Sequence, residues 1–539
     1  MAYIVCRKVQ NKEYFFKVEG YRENGKVKQR VLEYYGRNDP RKNPDAKPII
    51  KSQEPDGSYN FGDVSLVYHA AQKIDFMECV KNYASKRQGI PLNQELFLTV
   101  AQRLLDNRPS SAGMSAWAES THLPELLNFD AKNITDDTQA YMMDKLYNEE
   151  KNVDHLYRIS IDLYHNTLRL FGKEDDTYFY DITSTYFEGK HCPIATFGHN
   201  KDGKLDKLQI NIAMIMNGTY GLPVVSKVFE GNINDASTVH EMVYYPKVIM
   251  KKKKCLLIMD RGFESENNVR LIDSTKYDYI VGLRSTHKFV RKLKSETDFS
   301  KGDWETINNN GSEIKLHKTI KNIFGKRRIV ILYYSQKVAE EQRERRNLAI
   351  ENVIERLKAQ GFGLTLKSTK KIVGGLKRYF VIEQEGGQIH WRLNRIQINK
   401  AERDDGKFCL MTNKDIKPKD AFSLYFSKDK IEKGFRDMKQ SGNMRPIYKR
   451  LTDHVIADVF ISHLALLLMR VVEHLAQQKK IDKTWDSLSS ESANIRLIKY
   501  KLPNGKSKFQ IVSNNEFQKS VVSKFDLYRY VPVYTTSLK

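Results

Sequence analysis

Cysteine is scarce in this 539-residue chain: there are five, Cys6, Cys79, Cys192, Cys255 and Cys409. They are scattered and odd in number, and no CxxC pair occurs. A disulfide scaffold and a cysteine-based zinc site are therefore excluded, and a reducing cytoplasm fits. No GxxxxGK[ST] loop is present, so neither a nucleoside-triphosphate motor nor a nucleotide cofactor is expected. HExxH and GxSxG are missing too. The start, MAYIVCRKVQNKEYFF, is charged early and lacks an apolar signal core. One apolar run, VIADVFISHLALLLMRVV at 455–472, is long enough to raise the membrane question. Asp458, His463 and Arg470 interrupt it, and it reads as a buried helix. A secreted or membrane-spanning protein is not expected.

What the chain has in excess is positive charge. Lysine and arginine number 90 against 66 aspartates and glutamates, a formal net charge of +24. Such an excess favours a polyanion, nucleic acid first and an anionic membrane surface second. The hydrophobic fraction of 40% and aromatic fraction of 11% suffice for several cores. At roughly 150 residues per domain the length suggests three or four.

Periodicity changes along the chain. Residues 1–60 alternate like strands around a hairpin turn at Glu23-Asn24-Gly25, and the stretch NDPRKNPDAKP reads as a linker. Residues 61–175 turn helical, as in QELFLTVAQRLLDN. Over 176–285 come five strand candidates, TYFYDITSTYFE, LQINIAMIMN, LPVVSKVFEG, KCLLIMDRGF and YDYIVGLRS. Helical STVHEMVYYPKVIM and SENNVRLIDST separate the later ones, an α/β order. Mixed strands and a charged helix fill 286–405. Residues 406–480 hold a strand, KFCLMTN, and two long helices at 417–440 and 453–478. A basic C-terminal region, 481–539, closes the chain, and its tail, 504–539, reads as strand-like.

Two small motifs carry little. His155 and Arg158 form an HxxR pattern of the kind found in tyrosine recombinases, but with 13 histidines it arises readily by chance. His191, Cys192 and His199 lack metal-ligand spacing and read as a surface turn.

The acidic residues carry more. Asp181 ends the aromatic run TYFYD, and Asp260 ends KCLLIMD in the same way. Carboxylates at the ends of parallel strands face the crevice where α/β sheets bind ligands. Two of them close together need a cation, and their hard oxygens suit magnesium or manganese. Each aspartate alone also reads as a strand-end cap. In AFSLYFSKDKIEKGFRDMKQ, the residues Tyr425, Lys428, Glu432 and Lys439 fall within roughly 60° of one another on a helix. That face offers a metal ligand and phosphate contacts, with Arg436 beside it.

On these residues the sequence resembles the DDE transposases of the insertion-sequence-four superfamily, marked by a Tyr-x2-Arg-x3-Glu-x6-Lys signature. Tyr425, Glu432 and Lys439 match it; Lys428 stands where the family usually has arginine. DITSTYFEG around Asp181, VFEGNINDAST and MDRGFESENN add to the match, which spans roughly 176–473. The resemblance implies a ribonuclease-H-like α/β core interrupted by a strand-rich insertion, with an N-terminal β-hairpin and a helical DNA-binding region. It implies that Asp181, Asp260 and Glu432 are catalytic and hold two magnesium ions, with manganese as substitute. Tyr425, Lys428, Arg436, Lys439 and Arg261 would meet DNA. Double-stranded DNA is the implied partner and a homodimer on DNA the implied assembly, in the cytoplasm of a prokaryotic cell at the nucleoid. Trp304 and Trp391 read as packing residues or as stackers for an extruded base. A stand-alone metal-dependent endonuclease and a catalytically silent DNA-binding relative are the alternatives.

Overall fold

The computed structural model describes residues 2–9, 12–23, 26–46, 55–86, 88–106, 109–172, 176–187, 191–198, 206–244, 253–309, 311–445, 447–502 and 507–532. They form two units: Met1–His69 with Gly113–Asn133 and Lys479–Lys539, and Ala70–Ala112 with Ile134–Gln478. The helical stretch expected at 61–175 is shared between them rather than forming one body.

In the first unit, β1 (Ala2–Val9), β2 (Lys12–Glu23) and β3 (Lys26–Gly36) make an antiparallel three-stranded sheet. β2 and β3 form the expected hairpin, with Glu23 opposite Lys26, and β1 adds a third strand along β2; Asn24 and Gly25 lie outside the described residues. β4 (Pro55–Asn60) pairs with β18 (Arg496–Lys501), which pairs with β19 (Ser507–Val512). Here too lie the start of α1 (Gly62–Lys73), and α4 (Met114–Glu119), α5 (Leu123–Leu127) and α17 (Trp485–Ser492). The C-terminal region is strand-like only as far as Val512. Beyond it the Asn515 side chain accepts the Gln518 N–H and starts α18 (Glu516–Lys524), which buries Val521 and Val522.

The second unit is built on a nine-stranded sheet. Its strands are β7 (Thr177–Tyr186), β8 (Gln209–Asn217), β9 (Pro223–Glu230), β10 (Leu256–Met259), β11 (Asp278–Gly282), β12 (Glu305–Asn309), β13 (Ser312–Ile323), β14 (Lys326–Ser335) and β17 (Lys407–Thr412). Their order is β12-β13-β14-β17-β11-β10-β7-β8-β9. β7, β8 and β9 are antiparallel neighbours, whereas β7, β10 and β11 run parallel. Parallel neighbours need crossovers, and α8 (Val239–Tyr244) and α9 (Glu266–Thr275) supply them. All nine residues of β8 are buried, which is why QINIAMIMN reads as a near-continuous apolar run.

The expected insertion at 286–405 divides in two. After α10 (Lys288–Glu296), β12, β13 and β14 extend the main sheet, because β14 pairs β13 on one side and β17 on the other and buries Val330, Ile331 and Leu332. The excursion proper leaves after β14 and returns at β17, which are direct neighbours (Tyr333 opposite Phe408). It comprises α11 (Gln336–Gln360), α12 (Leu366–Val373), β15 (Phe380–Glu385), β16 (Gln388–Leu393) and α13 (Arg395–Asp404). It has its own small core, Ile350, Val353, Leu357, Val373, Tyr379, Phe380 and Ile398.

Helices α2 (Phe76–Lys81), α3 (Leu92–Leu105), α6 (Asp136–Leu146), α7 (Leu156–Phe171) and α16 (Thr452–Gln478) complete the unit, with a short ladder of β5 (Tyr147–Asn148) and β6 (Val153–Asp154). Among the described residues α16 is the one helix long and apolar enough to cross a membrane; 94% of its apolar window is buried inside the protein. It packs against α3, α6 and β9. His463 lies inside it, fully buried, and neither ring nitrogen has a hydrogen-bond partner among the described residues. Burial pushes its pKa down to about 3. Replacing it with leucine should therefore stabilise the fold by about 1–2 kcal/mol, the cost of an unsatisfied buried polar group. The sign with pH follows from linkage. The unfolded chain takes up the proton near its ordinary value of 6.5 and the folded chain does not, so stability falls as pH drops below about 6.5 toward 3. Urea unfolding at pH 7.5 and pH 5 should show the His463→Leu variant losing less stability than the parent.

Candidate active site

β10 ends at Met259 and β11 at Gly282, whereas β7 runs on to Tyr186, so Asp181 lies within its strand and not at the expected strand end. Tyr180 pairs Met259, and Met259 pairs Val281, so the next residues, Asp181, Asp260 and Gly282, form a row across β7, β10 and β11. The aromatic and aliphatic residues before the two aspartates are buried, as the sequence pattern required. Asp260 then begins a 3₁₀ turn, Arg261–Phe263, that leaves the Arg261 side chain exposed.

The expected helix at 417–440 is two helices, α14 (Pro418–Phe426) and α15 (Asp429–Lys439). At the junction the Ser427 hydroxyl donates to the Ser423 carbonyl four residues back, a bond that bends helices. The next turn tightens: the N–H groups of Lys428, Lys430 and Ile431 each reach only three residues back. Tyr425 therefore sits at the end of one helix, and Lys428 and Glu432 at the start of the other. The Tyr425 hydroxyl still donates to Asp260 Oδ1 at 3.0 Å. Lys428 Nζ lies 3.5 Å from Asp260 Oδ1 and 3.1 Å from Glu432 Oε1, so one ammonium grips both carboxylates.

Two glycines permit this approach. A Cβ on Gly434 would come 2.4 Å from the Met216 methyl, so α15 lies tight against β8. A Cβ on Gly282 would come 2.7 Å from the Tyr425 hydroxyl oxygen. Gly282→Ala should therefore push the phenol away from Asp260 and lower any DNA cleavage by about 10- to 100-fold, as loss of an orienting partner typically does. The thermal midpoint should change little; unchanged cleavage would show that the Tyr425–Asp260 bond is dispensable.

The electrostatics follow from the contacts. Burial opposes ionisation of Asp260. The Lys428 charge, the Arg261 backbone N–H and the Tyr425 hydroxyl outweigh it and hold the carboxyl below its ordinary value. Lys428 is raised although burial opposes its charge, because Asp260, Glu432 and Asp181 all favour it. Tyr425 is pushed far up by burial and by the neighbouring Asp260 charge.

Asp181 and Glu432 line one cavity of about 300 Å³, together with Thr183, Arg436, Lys439 and Arg445. Lys439 Nζ donates to Thr183 Oγ1 at 2.6 Å. Arg445 was not singled out from the sequence. It donates to Thr185 Oγ1 at 3.3 Å, lies over the Tyr186 ring, and also lines an adjoining cavity of about 700 Å³. Its position just beyond α15 was the available signal, but that segment has no regular period.

The acidic trio does not stand as a ready metal cage. No three His, Cys, Asp or Glu side chains among the described residues are gathered closely enough to hold an ion. The Lys428 ammonium takes the place of the neutralising cation between Asp260 and Glu432. The donor set itself, hard carboxylate oxygens on two adjacent strands and a facing helix, fits magnesium or manganese.

Other expectations resolve simply. His155 heads α7 and His191 is exposed beside the buried Cys192; His199 lies outside the described residues. Trp304 donates to the Lys301 carbonyl and packs on Phe299, and Trp391 packs on the insertion core against Phe380. Both tryptophans are engaged in packing.

A family model described as the transposase DDE domain matches residues 175–468, more than half of the chain. The chain belongs to the DDE transposase family. No curated protein matches this DDE transposase. Among solved structures, a cryo-EM synaptic complex of piggyBac transposase with hairpin DNA aligns at 10% identity over 88% of this chain and 82% of that one, with a TM-score of 0.37.

Proposed function

We propose that this chain is an insertion-sequence DNA transposase that cuts the ends of its element and joins them to target DNA. The observation that carries the reading is the level row of Asp181 and Asp260, with Glu432 lining a cavity with the first and sharing a cation with the second. In this reading the strands β7 to β11 are a ribonuclease-H-like core, an assignment supported by three antiparallel strands followed by two parallel ones with helical crossovers. Tyr425, Lys428, Glu432 and Lys439 are the counterpart of the Tyr-Arg-Glu-Lys signature.

Two divalent ions held by Asp181, Asp260 and Glu432 would supply activation of the attacking oxygen and stabilisation of the leaving oxygen in an in-line phosphoryl displacement. The protein's part is positioning. Tyr425 fixes the Asp260 carboxylate, Thr183 steadies the Lys439 ammonium, and Arg436, Lys439 and Arg261 hold phosphates. One site then serves two displacements, first by water at the element's end and next by the freed 3′-hydroxyl on target DNA. Double-stranded DNA is the partner, a dimer on paired ends is the working assembly, and the cytoplasm at the nucleoid is the location.

Lys428 tests the reading at its departure from the signature. Arginine would keep the positive charge between the two carboxylates and add a planar fork. Lys428→Arg should hold or raise end cleavage, while Lys428→Ala should lower it about 10- to 100-fold. The fold should survive, because the pairing with a half-exposed Glu432 contributes at most about 1 kcal/mol. Cleavage of labelled ends by both variants, with thermal midpoints alongside, makes the comparison. Undiminished cleavage by Lys428→Ala would leave the contact to Arg436 or Lys439.

A further inference from the structure

We propose that the cleft between α10 and α13 is a second polyphosphate-backbone site, which carries the DNA duplex leaving the acidic cavity. The cleft has a volume of about 400 Å³ and is lined by Lys288, Arg291, Lys292, Lys400 and Arg403, with Asp404 the one carboxylate.

The way α10 is held aims this face outward. Val290 and Lys294 are its buried residues. Lys294 Nζ donates to Ser285 Oγ at 3.0 Å and to the Lys407 carbonyl at 2.7 Å; Lys407 Nζ returns bonds to the Lys294 and Thr297 carbonyls, each at 2.7 Å. This clamp ties the helix to the first residue of β17. Lys288, Arg291 and Lys292 are left exposed on the opposite side, as are Lys400 and Arg403 on α13.

Such a face works against the fold. Like charges three and four residues apart repel along a helix. Cations in its first turn also oppose the helix dipole. Lys292 pairs with Glu296 at 3.6 Å, but both are exposed, so the pair offsets little. A polyanion in the cleft removes the repulsion.

Continuity with the acidic row favours DNA as that polyanion. β11 ends level with Asp260, and Arg284, two residues on, donates to the Arg261 carbonyl at 3.0 Å and the Gly262 carbonyl at 2.6 Å. α10 begins four residues later, so the chain passes from Arg284, bonded beside Asp260, directly into the helix that carries Lys288, Arg291 and Lys292. From Lys288 to Ser295 the helix advances ~10 Å, about three nucleotide steps along one strand. The choice of DNA rests on the proposed function; the cleft's charge does not.

The test measures binding of the full chain to a fluorescein-labelled duplex across a salt series without divalent metal. Lys288→Ala/Arg291→Ala/Lys292→Ala is compared with Lys367→Ala/Lys370→Ala/Lys371→Ala, which removes three exposed lysines from α12. Losing three phosphate contacts should flatten the log–log salt slope by about 2–3 and weaken binding at least about tenfold at physiological salt. The α12 variant should keep the parent slope, and thermal midpoints confirm that both fold. A cleft variant that matches the α12 variant overturns the proposal, as does one impaired only in binding inorganic tripolyphosphate. The two readings fail separately. A protein whose duplex binding depends on the cleft but which never cuts loses the transposase assignment and keeps the site; one that cuts with an unchanged slope in the cleft variant loses the site alone.

Discussion

Asp181→Asn, Asp260→Asn and Glu432→Gln are each expected to cut metal-dependent nicking of element ends by more than about 100-fold, while duplex binding persists. The lower bound comes from groups that merely orient a metal ligand, whose loss already costs about 10- to 100-fold. Each substitution keeps the side chain's size and removes its charge, so packing is preserved while the oxygen donors are weakened. Binding survives because it draws on the wider basic surface of a chain with a net charge of +24. Glu432→Gln should also be the best tolerated in stability, since Glu432 is about half exposed (52%). Nicking by any one variant at the parent rate would remove that residue from the trio.

Arg470→Met is expected to destabilise the protein by about 3–5 kcal/mol, the cost of breaking a buried ion pair by removing one partner. The Arg470 guanidinium in α16 is almost entirely buried, and it bonds both Asp437 on α15 and Glu473 one turn along its own helix. Without it the two carboxylates lose their shared counter-charge in a poorly solvated place. The arginine also ties α15, the helix that carries Glu432, to the core helix, so cleavage should fall together with stability. Arg470→Lys should recover only part of the loss, because a single ammonium lacks the fork that reaches two carboxylates. Arg470→Met/Asp437→Leu should recover more, since it removes a stranded charge. Chemical denaturation of the three variants measures these differences; an Arg470→Met midpoint equal to the parent's would show that the network contributes nothing net.

Local pattern made the centre of the catalytic unit readable. The strands around Asp181 and Asp260 stood out because apolar runs ended in a lone carboxylate, and the structure sets those ends side by side. Partners at long range were not readable. KRRIVILYYS looks like a strand from its composition, but nothing in it says that it pairs with KFCLMT beyond the whole excursion of α11 to α13. The face of Tyr425, Lys428, Glu432 and Lys439 was drawn on one continuous helix, and the structure divides it at Ser427, whose hydroxyl bonds the Ser423 carbonyl. At the C-terminus the basic composition hid α18, although Asn515 followed three residues later by Gln518 was a usable start signal. Lys428 was expected against DNA from its place on that helical face and from the signature, and its ammonium lies against the carboxylates.

The most direct test of the central claim is joining rather than cutting. A pre-cleaved element end with a free 3′-hydroxyl, incubated with the full chain, supercoiled target plasmid and magnesium, isolates the second displacement. The account predicts covalently joined end–plasmid product that requires the 3′-hydroxyl and disappears in Asp260→Asn. Plasmid nicking with no joined product, at a rate indifferent to the 3′-hydroxyl, would contradict it and leave a hydrolytic nuclease.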